Sequence, residues 1–266
     1  NEGAVHIVEA YDCQAMIYAD NPIDSKFFLL LEDFSEQNGW QQFAHIDEKK
    51  MRATLRALAK FHAFFWLKDG ERKANVDMKT QLWDVASYWD LQKQPAGQVE
   101  LLEESFKRLI KEFEIGTGSE LQAMLDKNYG LKLQEIAAEI NNTVHNNQQK
   151  QTIIHGDAKC PNFFFRENGD CTDVGMIDFQ WTGAGLCATD VAYAIWTCPQ
   201  FGVLDKEKEL VLFYHDQLIE ALLDNFPGYD VRSWLTLEQF LKEYQTCFLD
   251  LSRCIIADQW KTMTLS

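Results

Sequence analysis

Several features that would place a chain quickly are missing from this one. No apolar run approaches the roughly 18 residues that a membrane-spanning helix needs, and residues 1–10 have neither the basic nor the apolar region of a signal peptide. Lysine and arginine form no cluster, and 25 of them stand against 41 acidic residues for a formal charge of -16. That balance repels a polyanion at long range, so neither nucleic acid nor a membrane is an expected partner. An anionic ligand such as a nucleotide would need a divalent metal or local donors here, whereas a cationic one would be attracted. The seven cysteines are odd in number and form no C-x-x-C pair, so they read as reduced thiols of a cytoplasmic protein, Cys160 among them as a small buried thiol. No internal repeat is visible. The chain opens on Asn1 without a methionine, which predicts a processed or truncated product.

What is present is a chain of 266 residues, 46% of them hydrophobic, enough to fill a substantial core. Two apolar runs, 13–19 and 26–32, flank the turn A-D-N-P-I-D-S and predict a β-hairpin. The composition turns polar after Glu32-Asp33-Phe34, which suggests a lobe boundary near Phe34. From Asp47, a candidate N-cap, Met51, Leu55, Leu58, Phe61, His62 and Phe65 recur at helical spacing. His62 in that apolar stripe reads as a core histidine. Helices are further predicted over 99–113, 119–126, 131–144, 188–196, 205–226 and 236–257. Short strands between early and late helices make the fold class α+β, mostly helical.

The informative stretch is Thr152 to Asp190. Two short apolar runs, Ile153–Ile154 and Phe163–Phe165, flank the loop H-G-D-A-K-C-P-N, and a third, 174–177, ends on Asp178 within I-D-F-Q. Asp157 and Asn162 lie five residues apart, the spacing of the kinase catalytic loop H-R-D-x-x-x-x-N, and D-F-Q follows where D-F-G would. Phosphoryl transfer calls for these residue types. A carboxylate receives the proton of the attacking hydroxyl, and hard oxygen ligands hold Mg²⁺ against the phosphates. Residue types alone would also suit a metal-dependent hydrolase using His155, Asp157 and Asp178, but that reading leaves Asn162 and D-F-Q unexplained.

On these residues the chain resembles the choline-kinase-like and aminoglycoside-phosphotransferase-like branch of the protein-kinase-like fold, whose loop reads H-G-D-x-x-x-x-N, with Gly156 in place. I-D-F-Q is similar to the ecdysteroid-kinase-like (CHK) families. D-V-A-Y-A-I from Asp190 resembles the family's D-L-A segment, L-L-L-E-D-F its hinge, and L-A-K-F-H-A its helix under the loop. The resemblance implies a two-lobe fold, with residues 1–34 as what remains of an N-lobe carrying the hinge hairpin and 35–266 as a large helical C-lobe. It implies ATP and Mg²⁺ as cofactors. Asp157 would be the general base, His155 a scaffold residue of the loop, and Asn162 and Asp178 the metal ligands. Lys159 is either a γ-phosphate contact or a solvent-facing lysine. Glu32, Asp33 and Phe34 would form the adenine-binding hinge, while Asp190 and His62 would support the loop.

Only nine residues separate Gln180 from Asp190 and no A-P-E follows, leaving no room for a peptide-docking activation segment. The expected partners are therefore ATP and a small-molecule hydroxyl substrate. Trp181, Tyr193, Trp196 and Trp260 could supply an aromatic wall or simply be core. As a wall, with the acidic balance, they would favour an amino or quaternary ammonium alcohol. One departure from the family stands out. A Gly-rich loop, a phosphate-binding lysine and a helix glutamate precede the hinge hairpin there, whereas Lys26, the sole lysine before the hinge here, opens the hinge strand itself. The alternative to a small-molecule kinase is thus a pseudokinase-like nucleotide-binding or scaffold protein.

Overall fold

A computed structural model of the protein describes residues 3–18, 20–68, 71–72, 82–112, 120–146 and 152–259. The Trp260 of the expected aromatic wall lies outside the described residues.

Near the N-terminus, β1 (Val5–Ile7) is followed by a hairpin of β2 (Ala10–Met16) and β3 (Lys26–Leu31), which pair antiparallel with Cys13 opposite Leu29. The hairpin is the one expected, with strands ending slightly earlier. Both of its strands are exposed along their whole length, Phe27 and Leu29 among them. β1 was not foreseen, because three residues carry no period.

The first helix, α1 (Glu48–Phe64), starts where its N-cap predicts: Asp47 Oδ1 accepts the Lys50 N–H at 2.9 Å. Its stripe of Met51, Leu55, Leu58, Phe61 and His62 is buried. A two-residue pair, β4 (Leu67–Lys68) with β5 (Glu71–Arg72), follows. Then come α2 (Leu102–Glu112), α3 (Glu120–Asp126) and α4 (Tyr129–His145), close to the predicted helices.

Short strands occupy the middle of the chain. β6 (Thr152–Ile154) pairs antiparallel with β9 (Gly183–Gly185). β7 (Phe163–Asn168) and β8 (Cys171–Met176) form a tight hairpin in which Asn168 pairs with Cys171 and Gly169 takes φ +61°, the left-handed backbone that a two-residue hairpin turn requires. β1 adds to this hairpin in parallel, Val5 beside Val174. Gly175 on β8 makes room for Phe34, since a Cβ there would lie 2.5 Å from its ring. Phe34 is consequently buried against Trp40 and Phe164.

The core is completed by α5 (Cys187–Thr197), α6 (Glu207–Asn225), α7 (Val231–Trp234) and α8 (Leu237–Cys254). Every residue of α5 from Cys187 to Ile195 is buried, Thr189 and Asp190 included, so the helix runs through the core. α1 packs along α6, and α5 is held between α1 and α8. Among the described residues no helix is long and apolar enough to cross a membrane, and no disulfide joins any of the cysteines.

The segment 82–98, which has no helical or strand period, is tied down by side chains. The fully buried Arg253 donates to the Trp89 carbonyl at 2.7 Å and to Asp250 Oδ1 at 2.7 Å, and His145 Nε2 bonds the other Asp250 oxygen. Asn141 reaches across to Asp90 Oδ1 at 3.1 Å and accepts the Leu91 N–H at 2.9 Å. Burial alone would raise the Asp250 pKa, but the His145 hydrogen bond and charge, with the Arg253 guanidinium, outweigh it and hold the carboxyl below its usual value. Removing one partner of a buried ion pair strands the other charge. Asp250→Asn is therefore expected to lower stability by about 3–5 kcal/mol, read as a lower urea midpoint at unchanged slope.

Candidate active site

The loop after β6 is shaped by one buried carboxylate. Asp190, on the first turn of α5, is fully buried, and its Oδ2 accepts the His155 N–H at 2.7 Å while its Oδ1 accepts the Gly156 N–H at 2.9 Å. His62 Nε2 donates to the same Oδ2 at 3.1 Å, and His62 Nδ1 meets the Tyr214 hydroxyl at 2.7 Å. Burial pushes the Asp190 pKa up, but the His62 hydrogen bond and charge, the nearby His155 and the Gly156 N–H more than reverse this and keep it low.

Both ring nitrogens of His155 are engaged. Nε2 donates to the Ile177 carbonyl at 2.9 Å and Nδ1 accepts the Asp157 N–H at 3.3 Å. Its ring faces Phe179 at 4.8 Å, and Phe179 in turn meets Phe61 of α1. His155 thus joins the loop to the segment carrying Asp178 and cannot also ligate a metal, which removes the support for the hydrolase reading. Gly156 sits at φ +79°, and a Cβ on it would lie 2.2 Å from the Trp181 carbonyl oxygen. The position excludes any other residue.

The base candidate follows. Asp157 is 1% exposed; its Oδ2 accepts Asn162 Nδ2 at 3.0 Å and pairs with Lys159 Nζ at 2.8 Å. Asp157 Oδ1 has no hydrogen-bond partner among the described residues. A one-turn 3₁₀ segment, Cys160–Asn162, with Pro161 fixing its start, delivers Asn162 back to the loop, where its Nδ2 also donates to the Asp157 carbonyl at 2.8 Å. The Cys160 thiol points away, to the Phe43 carbonyl at 3.1 Å. Asn162 and Asp178 are neighbours across the strands, since the Ile177 N–H donates to the Asn162 carbonyl at 3.1 Å. Asp178 holds φ +62°, a strained backbone for an aspartate and of the kind stored at functional sites.

These contacts bring His155, Asp157, Lys159, Asn162, Asp178, Asp190 and His62 together. Glu32, Asp33 and Phe34 lie in another layer: Glu32 is paired with Glu9 at the end of the hairpin, Asp33 is exposed, and Phe34 is packed under β8. Of the aromatic wall, Trp196 is stacked on Phe248 of α8, at 4.5 Å. Trp181 stacks on Trp83 at 5.5 Å, and Lys93 Nζ lies over both indoles, 4.6 Å from Trp83 and 5.6 Å from Trp181. The segment 82–98 was the part missed by reading the sequence. Ser87, at φ +71°, donates its N–H to the Trp181 carbonyl at 3.1 Å beside Gly156. The density of aromatics in W-D-V-A-S-Y-W-D was the available signal, but it has no period.

A short buried strand leading into H-G-D-A-K-C-P-N, with an acid one helix turn into α5 clamping the loop and D-F-Q closing beside it, defines a protein-kinase-like fold. The chain belongs to the ecdysteroid kinase-like family, which matches it over residues 9–225. Among solved structures it is similar to a Plasmodium vivax ethanolamine kinase, with 14% identity and a TM-score of 0.36 over 81% of this chain. The match covers 55% of that protein, so the chain spans about half its length. Comparison with curated proteins gives no match.

Two outcomes follow from the clamp. Gly156→Ala should displace the loop and destabilise the fold by about 1–3 kcal/mol, seen in thermal unfolding. A carboxyl whose pKa is lower folded than unfolded contributes stability above its unfolded value, near 3.9, that is lost as pH falls through the folded one. Stability should therefore fall away below about pH 4, and Asp190→Asn, which turns an acceptor toward three donors into a partial donor, should flatten that limb in urea titrations at successive pH values.

Proposed function

We propose that the protein transfers the γ-phosphoryl group of ATP to a hydroxyl of a small molecule. The observation that carries this reading is Asp157: a buried carboxylate with one oxygen pinned by Asn162 and Lys159, the other left open, on a loop fixed by Asp190. Such an oxygen suits an acceptor hydroxyl. As the acceptor oxygen bonds to the γ-phosphorus and the bond to the β–γ bridging oxygen breaks, its proton passes to Asp157 Oδ1. Lys159 balances the Asp157 charge through Oδ2, so in this reading it serves the base before any phosphate.

The donor set also fits Mg²⁺. Asn162 spends its Nδ2 on Asp157, leaving its side-chain oxygen as a ligand, and the exposed Asp178 follows Ile177, whose N–H donates to the Asn162 carbonyl. One amide oxygen and one carboxylate are the hard ligands Mg²⁺ takes when phosphates and waters complete its shell, and the ion would offset phosphate charge in an acidic protein. The backbone of Glu32, Asp33 and Phe34 would receive the adenine, residues 1–34 would belong to the N-lobe and 35–266 to the C-lobe. Cysteines that stand outside any disulfide support a reducing, cytoplasmic setting.

Of the expected aromatic wall, Trp196 packs against α8 and the faces of Trp83 and Trp181 carry Lys93, so these indoles do not by themselves support an ammonium seat. Hydroxyl chemistry alone supports the reading. The test is the full chain with Mg-ATP and a panel of alcohols that pairs choline and ethanolamine with uncharged carbon isosteres and with polyols. Transfer to at least one member is expected, and Asp157→Asn should reduce kcat by about 10²- to 10⁴-fold. Transfer to no member would overturn the proposal in favour of a nucleotide-binding scaffold.

A further inference from the structure

Trp83 is 46% exposed, so burial is not what fixes it. Its polar groups do. The Trp83 N–H donates to the Thr182 carbonyl at 3.1 Å, the Ala184 N–H donates to the Trp83 carbonyl at 3.3 Å, and the indole Nε1–H donates to the Gln180 carbonyl at 2.7 Å. The approach is close enough that Gly183 admits no side chain, since a Cβ there would lie 2.2 Å from the Trp83 carbonyl oxygen. Trp83 thus splints residues 180–184, the segment that leaves D-F-Q. That segment begins at Asp178, whose φ of +62° persists only where its surroundings over-determine it. On the upstream side Ile177 is bonded to both Asn162 and His155, and Phe179 packs on His155. On the downstream side the Thr182 N–H closes a turn on the Phe179 carbonyl at 3.1 Å, and Gln180 within that turn donates its Nε2 to Asp178 Oδ2 at 3.4 Å. The same glutamine is therefore held by Trp83 through its carbonyl and holds Asp178 through its side chain.

Resting on the metal site of the kinase reading above, we infer that Trp83 is a positioning residue for the metal ligand Asp178. Its indole N–H fixes the Gln180 peptide, the Gln180 amide fixes Asp178 Oδ2, and the carboxylate keeps a set direction without an ion. Hydrogen-bond partners behind a ligating carboxylate orient it, and an ordered ligand loses less freedom when the ion binds. Trp83 itself touches neither ion nor substrate. Its own ring is fixed in turn, stacked on Trp181 at 5.5 Å with Lys93 Nζ 4.6 Å away, and Lys93 is anchored on the Ser87 carbonyl at 2.8 Å. The segment 82–98 in this way reaches the metal ligand from outside the catalytic loop.

The experiment is titration of the full chain with Mn²⁺ alone, followed by the electron paramagnetic resonance of the free ion, alongside thermal unfolding. Asp178→Asn removes the ligand and defines what the acidic surface binds elsewhere. Trp83→Phe keeps an aromatic ring against Trp181 and removes the Nε1–H, and it is expected to raise the Kd for Mn²⁺ at this site about tenfold. Gln180→Ala should raise it in the same direction by a smaller factor, its bond to Asp178 being long and exposed. A Trp83→Phe Kd within twofold of wild type overturns the inference whatever the Tm, because a merely structural role would lower Tm and leave the Kd in place. If Trp83→Phe does not fold, Gln180→Ala decides, and an unchanged Kd there overturns it. Wild-type binding no tighter than that of Asp178→Asn overturns the metal site and the inference together. A wild type that binds Mn²⁺ but phosphorylates no alcohol overturns the kinase reading alone, and the Mn²⁺ comparison still decides this inference.

Discussion

The site depends on one buried carboxylate. Asp190 is a charge sealed from water, tolerable only because three donors converge on it: the backbone N–H groups of His155 and Gly156 and the ring N–H of His62. Each donor belongs to something the site needs. Two fix consecutive peptide planes of the loop, so Asp157 leaves in a set direction, and the third ties the loop to α1. The same interaction explains Gly156, because backbone turned to face Asp190 must adopt positive φ with the Trp181 carbonyl close by.

Around this clamp the loop is closed by engaging nearly every polar atom it has. His155 spends both ring nitrogens on the chain, Asn162 spends its amide nitrogen on Asp157, and Lys159 takes Asp157 Oδ2. The buried side-chain oxygen left over in this loop, among the described residues, is Asp157 Oδ1. Native structures leave few buried polar atoms without a partner, so the one carboxylate oxygen of this loop left open stands out.

The outer wall follows a different rule. Residues 82–98 have no regular structure to pay for their backbone groups, so helices α4 and α8 supply buried side chains that do it: Asn141 for Leu91, and Arg253 for Trp89. Holding this segment rigid costs the burial of His145, Asp250 and Arg253. It places Ser87 beside Gly156 and Tyr88 beside Trp181 with a precision that a loop bearing only surface contacts would lack.

Much of the loop was legible in the sequence because its chemistry depends on local spacing. The step from Asp157 to Asn162 is spanned by a single 3₁₀ turn, and the helix containing Asp190 and the N-cap at Asp47 carry their own periodicity. What no local rule could supply is contact between distant segments. That His62 reaches Asp190, that Trp196 turns toward α8 while Tyr193 on the same helix turns to Tyr88 and Trp89, and that Lys93 covers Trp181 all depend on how helices pack. β1 and β9 are three residues each and exist only through their pairing partners. The sequence by itself determined the loop, its acids and the helices that carry them, since those follow from neighbours along the chain. The tertiary structure alone decided which way each aromatic turns and which oxygen of Asp157 stays open, since those follow from neighbours in space.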